Sequence, residues 1–573
     1  MFERSGAELI IDILVQHGVR QIAGIPGGFN LPLYDAMARD GRIAHILARH
    51  EQGAGFIAQG MARSTGEVAV CFATSGPGAT NVLTALADAK LDSVPIICIT
   101  GQVPTDMIGT DAFQEVDIVA AAAPITKRSI RISSATQLLT AIPDSFFDAR
   151  DGKPGPILID VPKDVQLERI IVPRLPDIRP RRTCSATGKM AEQLDKAARL
   201  IDEAKSPVLY LGGGVRHAHG ATEACQLAQK GALPTVCTLM ALGAMPTSHP
   251  MYLGMAGMHG DVHTNLAMAR CDLLIAVGTR FGDRATGRLE QFCANARLIH
   301  IDIAEAELNR LKRGDIAILG DAGPTLAYLK RRISPRRRSA WFFEINTLKQ
   351  TAEGQNSGDA SPINQWPADV IAGVSAHCAD AFITTDVGQH QMWTARTFPF
   401  SFNRQWLTSG GLGTMGFGLP AAIGVALCHP TRQVVCFSGD GSIMMNIQEL
   451  ALLAEHRLNV KIVLFNNWAL GLVAQQQDLF YNQRRYACEF DHSPCFETVA
   501  AGFGIRCIHI TCDADISERL PEVFHTEGPC LIHVPVDARA RVLPMVPPGS
   551  ANTEMITADY PMTVSKKKKM AIG

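Results

Sequence analysis

The chain has 573 residues, of which 47% are hydrophobic and 19% are charged, and its formal net charge is -1. This length exceeds what a single hydrophobic core supports, so we expect about three or four domains in a soluble globular protein. The near-neutral charge gives no electrostatic basis for binding nucleic acid or a membrane surface.

The cysteine pattern and the lengths of the apolar runs indicate the cellular compartment in which the protein is expected. The 15 cysteines are an odd number and include no C-x-x-C pair, which favours reduced thiols over a disulfide framework. Residues 1–6 lack the basic and apolar regions of a signal peptide, and no apolar run reaches membrane-spanning length. These features predict a cytoplasmic location.

Strand-like and helix-like runs alternate along the chain, which predicts an α/β fold with doubly wound parallel sheets. Two stretches rich in proline, glycine and arginine, 173–188 and 334–366, are typical of inter-domain linkers. They leave three predicted domains and a short tail, which are residues 1–172, 189–333, 367–556 and 557–573.

Two turns and one acidic residue stand out in the first segment. Pro26 and Gly28 follow an apolar run, and residues 75–81 follow another. Both are either ordinary βα turns or places where the backbone approaches a ligand. Glu51 begins a helix-like run, where a carboxylate is often only a partner of the helix dipole.

The middle segment carries a run of three glycines, Gly212 to Gly214, directly after the strand-like residues 208–211. The G-x-G-x-x-G fingerprint of dinucleotide-binding folds is absent. The residues alone therefore predict a packed α/β domain without a ligand.

The third segment places polar residues after two buried strand-like runs. Asp440 and Ser442 follow residues 434–437, and Asn467 follows residues 462–465. Ligands in open α/β sheets bind beyond the carboxyl ends of such strands. Asp and Asn oxygens can bind Mg²⁺ together with phosphate oxygens, and a helix starting near Ser442 turns N–H groups toward the same phosphates. The pattern predicts a metal–diphosphate site, although Gly-Asp-Gly alone is usually just a turn.

The combination of Gly439 to Ser442 with Asn466-Asn467 resembles the signature of thiamine diphosphate (ThDP) enzymes. Longer runs resemble the catalytic subunit of the acetohydroxyacid synthase family, also called acetolactate synthase, and its bacterial isozyme I-like type. The runs are residues 49–54, 100–104, 108–115, 161–164, 385–393 and 544–549. The resemblance implies a pyrimidine-binding first domain, a central FAD-type domain and a third domain that binds diphosphate and Mg²⁺.

The resemblance also implies a reaction and partners. Family members decarboxylate pyruvate and join the hydroxyethyl unit to a second 2-keto acid, pyruvate or 2-ketobutyrate, in isoleucine and valine biosynthesis. The implied cofactors are ThDP, Mg²⁺ and FAD, with FAD in a largely structural role. The implied partners are a second copy of the chain and a small regulatory subunit.

By motif position, the resemblance assigns roles to individual residues. It implies that Glu51 holds N1′ of the ThDP pyrimidine, that Gln114 and Gly28 lie near the reacting centre, and that Asp440, Asn467 and Ala469 (through its carbonyl) bind the metal. The implied ThDP contacts are Pro26, Val387, Gly388, Gln389, His390, Gly413, Met415, Gly441, Ser442, Leu470 and Gly471. The implied FAD contacts are Lys153, Gly212, Gly213, Gly214, Thr238, Leu239, Met258, His259, Arg280, Asp302, Ile303 and Asp321.

The substrate and acceptor region is expected to include Phe29, Lys163 and Gln476. Phe29 and Gln476 depart from the family pattern, which has a small residue at the first position and often a tryptophan at the second. A glutamine there predicts a low preference for 2-ketobutyrate over pyruvate. Lys153 replaces a usual arginine, and Gly282 replaces a usual aspartate; both bear on FAD affinity.

Two other interpretations remain open from the sequence. One is another ThDP enzyme, such as a pyruvate oxidase or a carboligase with a different acceptor. The other is a non-catalytic homologue that serves in binding or assembly.

Overall fold

The computed structural model describes residues 2–178, 180, 188–217, 220–356 and 362–557. In this part of the chain, three sheets of six parallel strands each form the centre of an α/β unit, which confirms the predicted fold class. The predicted domain boundaries stay predictions. Residues 558–573 of the predicted tail and residues 181–187 of the first predicted linker lie outside the described residues.

The first unit contains a parallel sheet and a separate antiparallel pair. Its strands are β1 (Phe2–Ser5), β2 (Gln21–Gly24), β3 (Ala44–Leu47), β4 (Ala69–Ala73), β5 (Ile96–Gln102), β6 (Arg128–Arg131), β7 (Ile157–Pro162) and β8 (Arg169–Val172). Its helices are α1 (Gly6–Gln16), α2 (Leu31–Asp40), α3 (Glu51–Thr65), α4 (Pro77–Asn81), α5 (Leu83–Leu91), α6 (Ile118–Ala122), α7 (Ala135–Arg150) and α8 (Lys163–Leu167). The sheet order is β3-β2-β4-β5-β7-β6, and β1 pairs with β8. Strands β4, β5 and β7 are buried along their whole length, as expected for parallel strands that are covered on both faces of the sheet.

The central unit has a different strand order. Its strands are β9 (Pro207–Leu211), β10 (Thr235–Cys237), β11 (Tyr252–Met255), β12 (Leu273–Val277), β13 (Arg297–Asp302) and β14 (Ile316–Leu319). Its helices are α9 (Lys189–Glu203), α10 (Gly220–Gly231), α11 (Val262–Arg270), α12 (Asp283–Thr286) and α13 (Ala322–Arg332). The order β11-β10-β9-β12-β13-β14 reverses between β9 and β12.

The third unit follows two further helices, α14 (Ser339–Asn356) and α15 (Pro362–Ser375). Its strands are β15 (Phe382–Thr385), β16 (Trp406–Leu407), β17 (Val434–Gly439), β18 (Val460–Asn466), β19 (Arg506–His509) and β20 (Cys530–Pro535). Its other helices are α16 (Gln389–Thr397), α17 (Gly418–Cys428), α18 (Asp440–Ile443), α19 (Leu450–Glu455), α20 (Gly471–Phe480), α21 (Phe496–Gly502) and α22 (Asp513–His525). The sheet order is β16-β15-β17-β18-β20-β19. No helix within the described residues is both long and apolar enough to cross a membrane.

Residues 334–366, which the sequence predicts to connect two domains, are largely helical. Helix α14 occupies much of this segment, and α15 begins within it. Trp341, Ile345 and Leu348 recur at helical spacing and are buried against the central unit, where the Trp341 indole N–H donates to the Pro207 carbonyl over 3.1 Å. The arginine-rich residues before this stretch concealed its apolar face.

The closest approach between the first and third units is the crossing of α3 and α17. An added Cβ at Gly60 would lie 2.1 Å from a backbone carbonyl oxygen of α17, and one at Gly424 would lie 2.0 Å from a carbonyl oxygen of α3. Beside the crossing, the rings of Phe56 and Phe417 meet edge to face with centroids 5.4 Å apart. The two units therefore share one continuous apolar core.

This crossing predicts that Gly60→Ala destabilises the protein. The added methyl group has no space, and overpacking of this kind costs roughly 1–3 kcal/mol. The midpoint of thermal unfolding should fall, as followed by differential scanning fluorimetry. Gly502→Ala is the matched control, because Gly502 is an exposed helical glycine with open space around its Cα. Equal midpoints for the two variants would contradict the tight crossing.

Candidate active site

A small cavity lies where the strand order of the third sheet reverses, between β15 and β17. Such a reversal leaves a crevice beyond the carboxyl ends of parallel strands. The cavity measures about 160 Å³. Its lining includes all the third-unit residues assigned to ThDP or its metal by resemblance: Val387, Gly388, Gln389, His390, Gly413, Met415, Asp440, Gly441, Ser442, Asn467, Ala469, Leu470 and Gly471.

Two adjacent strands deliver the candidate metal ligands to this cavity. Asp440 directly follows β17 and Asn467 directly follows β18, as the spacing in the sequence predicted. Asp440 Oδ2 is buried and receives no hydrogen bond from any described residue, and burial raises the pKa of Asp440 to about 6. Asn467 Nδ2 donates to Gln389 Oε1 over 3.1 Å, and Asn467 Oδ1 accepts from the Ala469 N–H over 3.2 Å, which leaves the second lone pair of Oδ1 for a metal. These oxygens fit a divalent cation, which would satisfy the buried carboxylate.

The metal would need further oxygens from a bound phosphate. No cluster of three or more His, Cys, Asp or Glu side chains in the described residues could hold a metal alone. Mg²⁺ commonly combines one or two protein oxygens with phosphate and water oxygens. The small cavity is therefore suited to a metal diphosphate rather than to a bare ion.

The remaining lining also suits a diphosphate. His390 Nε2 is buried without a described partner, and burial lowers the pKa of this histidine to about 3, so the ring is neutral. Gly471 begins α20, and an added Cβ there would lie 2.0 Å from Gln389 Oε1. Only glycine lets the backbone approach this closely.

Glu51 lies in the first unit as the first residue of α3 and is 9% exposed. Its Oε2 accepts a hydrogen bond from Asn81 Nδ2 over 2.9 Å, so the predicted turn at residues 75–81 does meet this carboxylate. Glu51 is absent from the described lining of the small cavity in its own chain. Within one chain, the structure does not bring Glu51 to Gly413 or Met415.

Phe29 and Lys163 lie together in the first unit. Lys163 Nζ is 5.9 Å from the centre of the Phe29 ring, within the range of a cation–π contact. The Phe29 carbonyl accepts a hydrogen bond from Gln166 Nε2 over 2.8 Å, which fixes the backbone that carries the ring.

The other first-unit candidates are near the surface. Gln114 adopts a φ of 61° and packs against Gly76. Pro26 and Gly28 are exposed. Like Phe29, they are not among the described residues that line the small cavity of the same chain.

A second, larger cavity of about 620 Å³ lies at the reversal between β9 and β12 of the central sheet. This strand order is that of doubly wound sheets that bind dinucleotides. The lining includes all the residues assigned to FAD by resemblance: Lys153, Gly212, Gly213, Gly214, Thr238, Leu239, Met258, His259, Arg280, Asp302, Ile303 and Asp321.

The large cavity carries unsatisfied polar atoms that fit a dinucleotide. Thr238 Oγ1, His259 Nδ1 and Arg216 Nε are buried without a described hydrogen-bond partner. Such atoms in a cavity wall indicate a polar ligand. Lys153 Nζ forms an ion pair with Glu307 Oε1 over 2.8 Å, so its charge at the cavity wall is already partly neutralised.

Sequence reasoning missed several lining residues of the large cavity. These residues come from all three units, and none belongs to a recognisable local sequence motif. They are Arg63, Asp92, Arg216, Arg404 and residues 410–412. Gln476 also lines this cavity, and Gly413 lines both cavities, so the two adjoin.

Comparison with known proteins agrees with this arrangement. Three family models match, the N-terminal TPP binding domain of thiamine pyrophosphate (ThDP) enzymes over residues 4–121, their central domain over 194–329 and their C-terminal TPP binding domain over 386–534. The acetolactate synthase isozyme 1 large subunit of Escherichia coli K12 is 51% identical over 96% of this chain and 97% of its own length. The chain belongs to the acetolactate synthase large-subunit family.

Further members of the acetolactate synthase family are similar over nearly the whole chain. The isozyme 2 large subunit of Escherichia coli K12 is 42% identical over 96% of this chain and 99% of its own length. The acetolactate synthase of Arthrospira platensis is 42% identical over 96% of this chain and 97% of its own length.

The strand orders are consistent with an acetolactate synthase of this kind. The two matched TPP binding domains carry sheets of the same order, β3-β2-β4-β5-β7-β6 and β16-β15-β17-β18-β20-β19. The matched central domain carries the dinucleotide-type order.

The close packing at Gly471 predicts weaker cofactor binding for Gly471→Ala. The added methyl group would push Gln389 and Asn467 out of place, which should weaken binding of ThDP with Mg²⁺ about tenfold or more. Isothermal titration calorimetry measures the dissociation constant. Gly502→Ala serves as the control with unchanged affinity, and equal affinities for both variants would show that the small cavity is not the binding site.

Proposed function

We propose that this chain is the catalytic subunit of an acetolactate synthase, which decarboxylates pyruvate and joins the hydroxyethyl unit to a second pyruvate or to 2-ketobutyrate. The observation that carries the proposal is the buried, unpartnered Asp440 oxygen at the end of β17, in a chain that belongs to this family over nearly its full length. When bound, ThDP supplies the electron sink for the decarboxylation and the carbon–carbon ligation. The product serves isoleucine and valine biosynthesis.

The third unit holds the cofactor. Asp440, Asn467 and the Ala469 carbonyl bind Mg²⁺ together with diphosphate oxygens. The Gly413 carbonyl would accept a hydrogen bond from the 4′-amino group of the pyrimidine, and Met415 would pack against the cofactor. Support for these roles comes from the shared lining of the small cavity.

The catalytic carboxylate comes from the partner subunit. Glu51 does not line the small cavity of its own chain, and we propose that a second copy supplies it, as the family resemblance implies. Large apolar side chains beside the cavity support this: Leu412, Met444, Met445 and Trp468 are between 43% and 54% exposed. A surface of this kind is typical of a protein interface, and the active unit is therefore at least a homodimer.

The Glu51 carboxyl group of the partner subunit would form a hydrogen bond with N1′ of the ThDP pyrimidine and would share the proton of that bond. A carboxyl group in a dry pocket favours this sharing, and Asn81 fixes its Oε2 oxygen. Gln114, Gly28, Phe29 and Lys163 contribute the substrate side of the site.

Three further assignments belong to this proposal. FAD fills the large cavity in a structural role, supported by the dinucleotide-type strand order and the unsatisfied polar atoms. A small regulatory subunit is a partner, by analogy with relatives whose names describe a large subunit. The protein acts in the cytoplasm.

The direct test is acetolactate formation from pyruvate by the purified chain, with Mg²⁺, ThDP and FAD each omitted in turn. We expect product that requires ThDP and Mg²⁺. Consumption of oxygen or reduction of a quinone without acetolactate would indicate an oxidase instead.

Glu51→Gln should lower turnover about 10²–10⁴-fold, because an amide cannot share the N1′ proton. Steady-state kinetics and a thermal unfolding scan measure turnover and folding together. Glu67→Gln is the control, since Glu67 is an exposed carboxylate just after α3. A Glu51→Gln variant with wild-type turnover would remove the proposed role of Glu51.

Gln476→Trp should raise the preference for 2-ketobutyrate over pyruvate as acceptor. The indole adds apolar contact to the extra methyl group, which is worth about 1–3 kcal/mol or roughly 10- to 200-fold in selectivity. The measurement is the ratio of the two products at equal acceptor concentrations, with Gln229→Trp on the exposed face of α10 as control. An unchanged ratio would show that Gln476 does not contact the acceptor.

A further inference from the structure

The loop of residues 408–414 forms the wall between the two cavities. Residues 410–413 line the large cavity, and Gly413 also lines the small one. Gly413 has a φ of 74°, which glycine adopts without strain. Whatever fixes this loop therefore fixes the direction of the Gly413 carbonyl.

Two carboxylates of the first unit hold the loop. Asp92 accepts hydrogen bonds from the backbone N–H groups of Gly410 over 3.0 Å and Gly411 over 2.8 Å, one on each oxygen. Asp88 Oδ1 accepts from the hydroxyl groups of Ser409 and Thr414, the latter over 3.2 Å. The Ser409 hydroxyl in turn accepts from the Thr414 N–H over 2.8 Å, so both ends of the 409–414 segment meet at one oxygen pair.

Arg63 on α3 joins these carboxylates to the start of the loop. Its guanidinium donates to Asp88 over 3.1 Å, to Asp92 over 3.0 Å and to the Thr408 carbonyl over 3.0 Å. The side chains of Arg63, Asp88 and Asp92 are 4%, 0% and 1% exposed. The Arg63 guanidinium also donates to Gln59 Oε1 over 2.7 Å.

A buried cluster of this kind is not explained by stability alone. Transferring charged groups from water to the interior costs several kcal/mol per ion. Apolar residues of similar volume in place of a buried ion pair are often equally stabilising. Here two carboxylates face one guanidinium, and burial and the neighbouring Asp92 raise the pKa of Asp88. Apart from Gln59, the hydrogen-bond partners of the three side chains are atoms of the 408–414 loop or of each other, so the cluster acts on the conformation of that loop.

We propose that Asp88, Asp92 and Arg63 are positioning residues that set the Gly413 carbonyl for the 4′-amino group of ThDP. This proposal rests on the proposed function, because it presumes that ThDP occupies the small cavity. It goes beyond that function by making the first unit of a chain responsible for the cofactor held in the third unit of the same chain. Since α3 carries both Glu51 and Arg63, each first unit then serves two active sites, one through each end of this helix.

The test uses Asp92→Asn and Ser409→Ala in the full chain loaded with ThDP and Mg²⁺. The first exchanges a carboxylate for an amide that has only one acceptor oxygen, and the second removes a hydroxyl from the loop itself. Asp35→Asn is the control, since Asp35 is 69% exposed in a surface ion pair. Two readouts are measured, namely hydrogen exchange of the backbone amides in the loop and the rate of proton exchange at C2 of bound ThDP.

We expect both variants to raise amide exchange in the loop and to lower C2 exchange about tenfold each. ThDP affinity should stay within about threefold of wild type, because the metal ligands are intact. The Asp88→Asn, Ser409→Ala double variant should lose less than the sum of its single variants, as expected for one shared hydrogen bond.

Two outcomes would overturn the proposal, and they differ in whether the proposed function also fails. If the wild-type chain exchanges C2 normally and the variants do the same, the loop does not position the cofactor and the proposed function stands. If the wild-type chain shows no exchange that depends on bound ThDP, the proposed function fails and the positioning role fails with it.

Discussion

The contact between α3 and α17 constrains the rest of the molecule. Glycines at the crossing bring the two helices to backbone contact and merge the cores of the first and third units. Helix α3 is then held against its own third unit, with Arg63 at the 408–414 loop and Glu51 outside the lining of the small cavity. In the proposed function, the Glu51 of a second chain completes the site at this cavity.

Two reversals of strand order account for the position of both cavities. Each reversal opens a crevice at the carboxyl ends of buried strands, where the connections to the next elements run in opposite directions. Buried polar atoms without a hydrogen-bond partner lie at these ends and reduce stability unless a ligand binds them. They are Asp440 Oδ2 and His390 Nε2 in the small cavity, and Thr238 Oγ1 and His259 Nδ1 in the large one. A charged cofactor in each cavity would satisfy these groups.

The sequence predicted what depends on local pattern. The buried runs before Asp440 and Asn467 predicted the strands. The residues that close these runs were predicted to lie together, because the carboxyl ends of neighbouring parallel strands meet at one edge of the sheet. The residues alone did not predict the large cavity. A dinucleotide site is indicated there by the strand order of the sheet, and the sequence has no glycine fingerprint. The helical structure of α14 was not predicted, because arginines preceded its apolar face. The cluster of Arg63, Asp88 and Asp92 had no local signal at all, since its partners lie more than 300 positions away in the loop.

The most direct test of the account is complementation between two inactive chains. Glu51→Gln and Asp440→Ala chains, carrying different affinity tags, are co-expressed, and the mixed dimer is isolated through both tags. If Glu51 acts on the partner, one of the two sites in the mixed dimer contains an intact Glu51 and an intact metal site, and turnover should return to about half of wild type. A mixed dimer as inactive as either parent would contradict the shared site, because a Glu51 acting within its own chain leaves both sites defective.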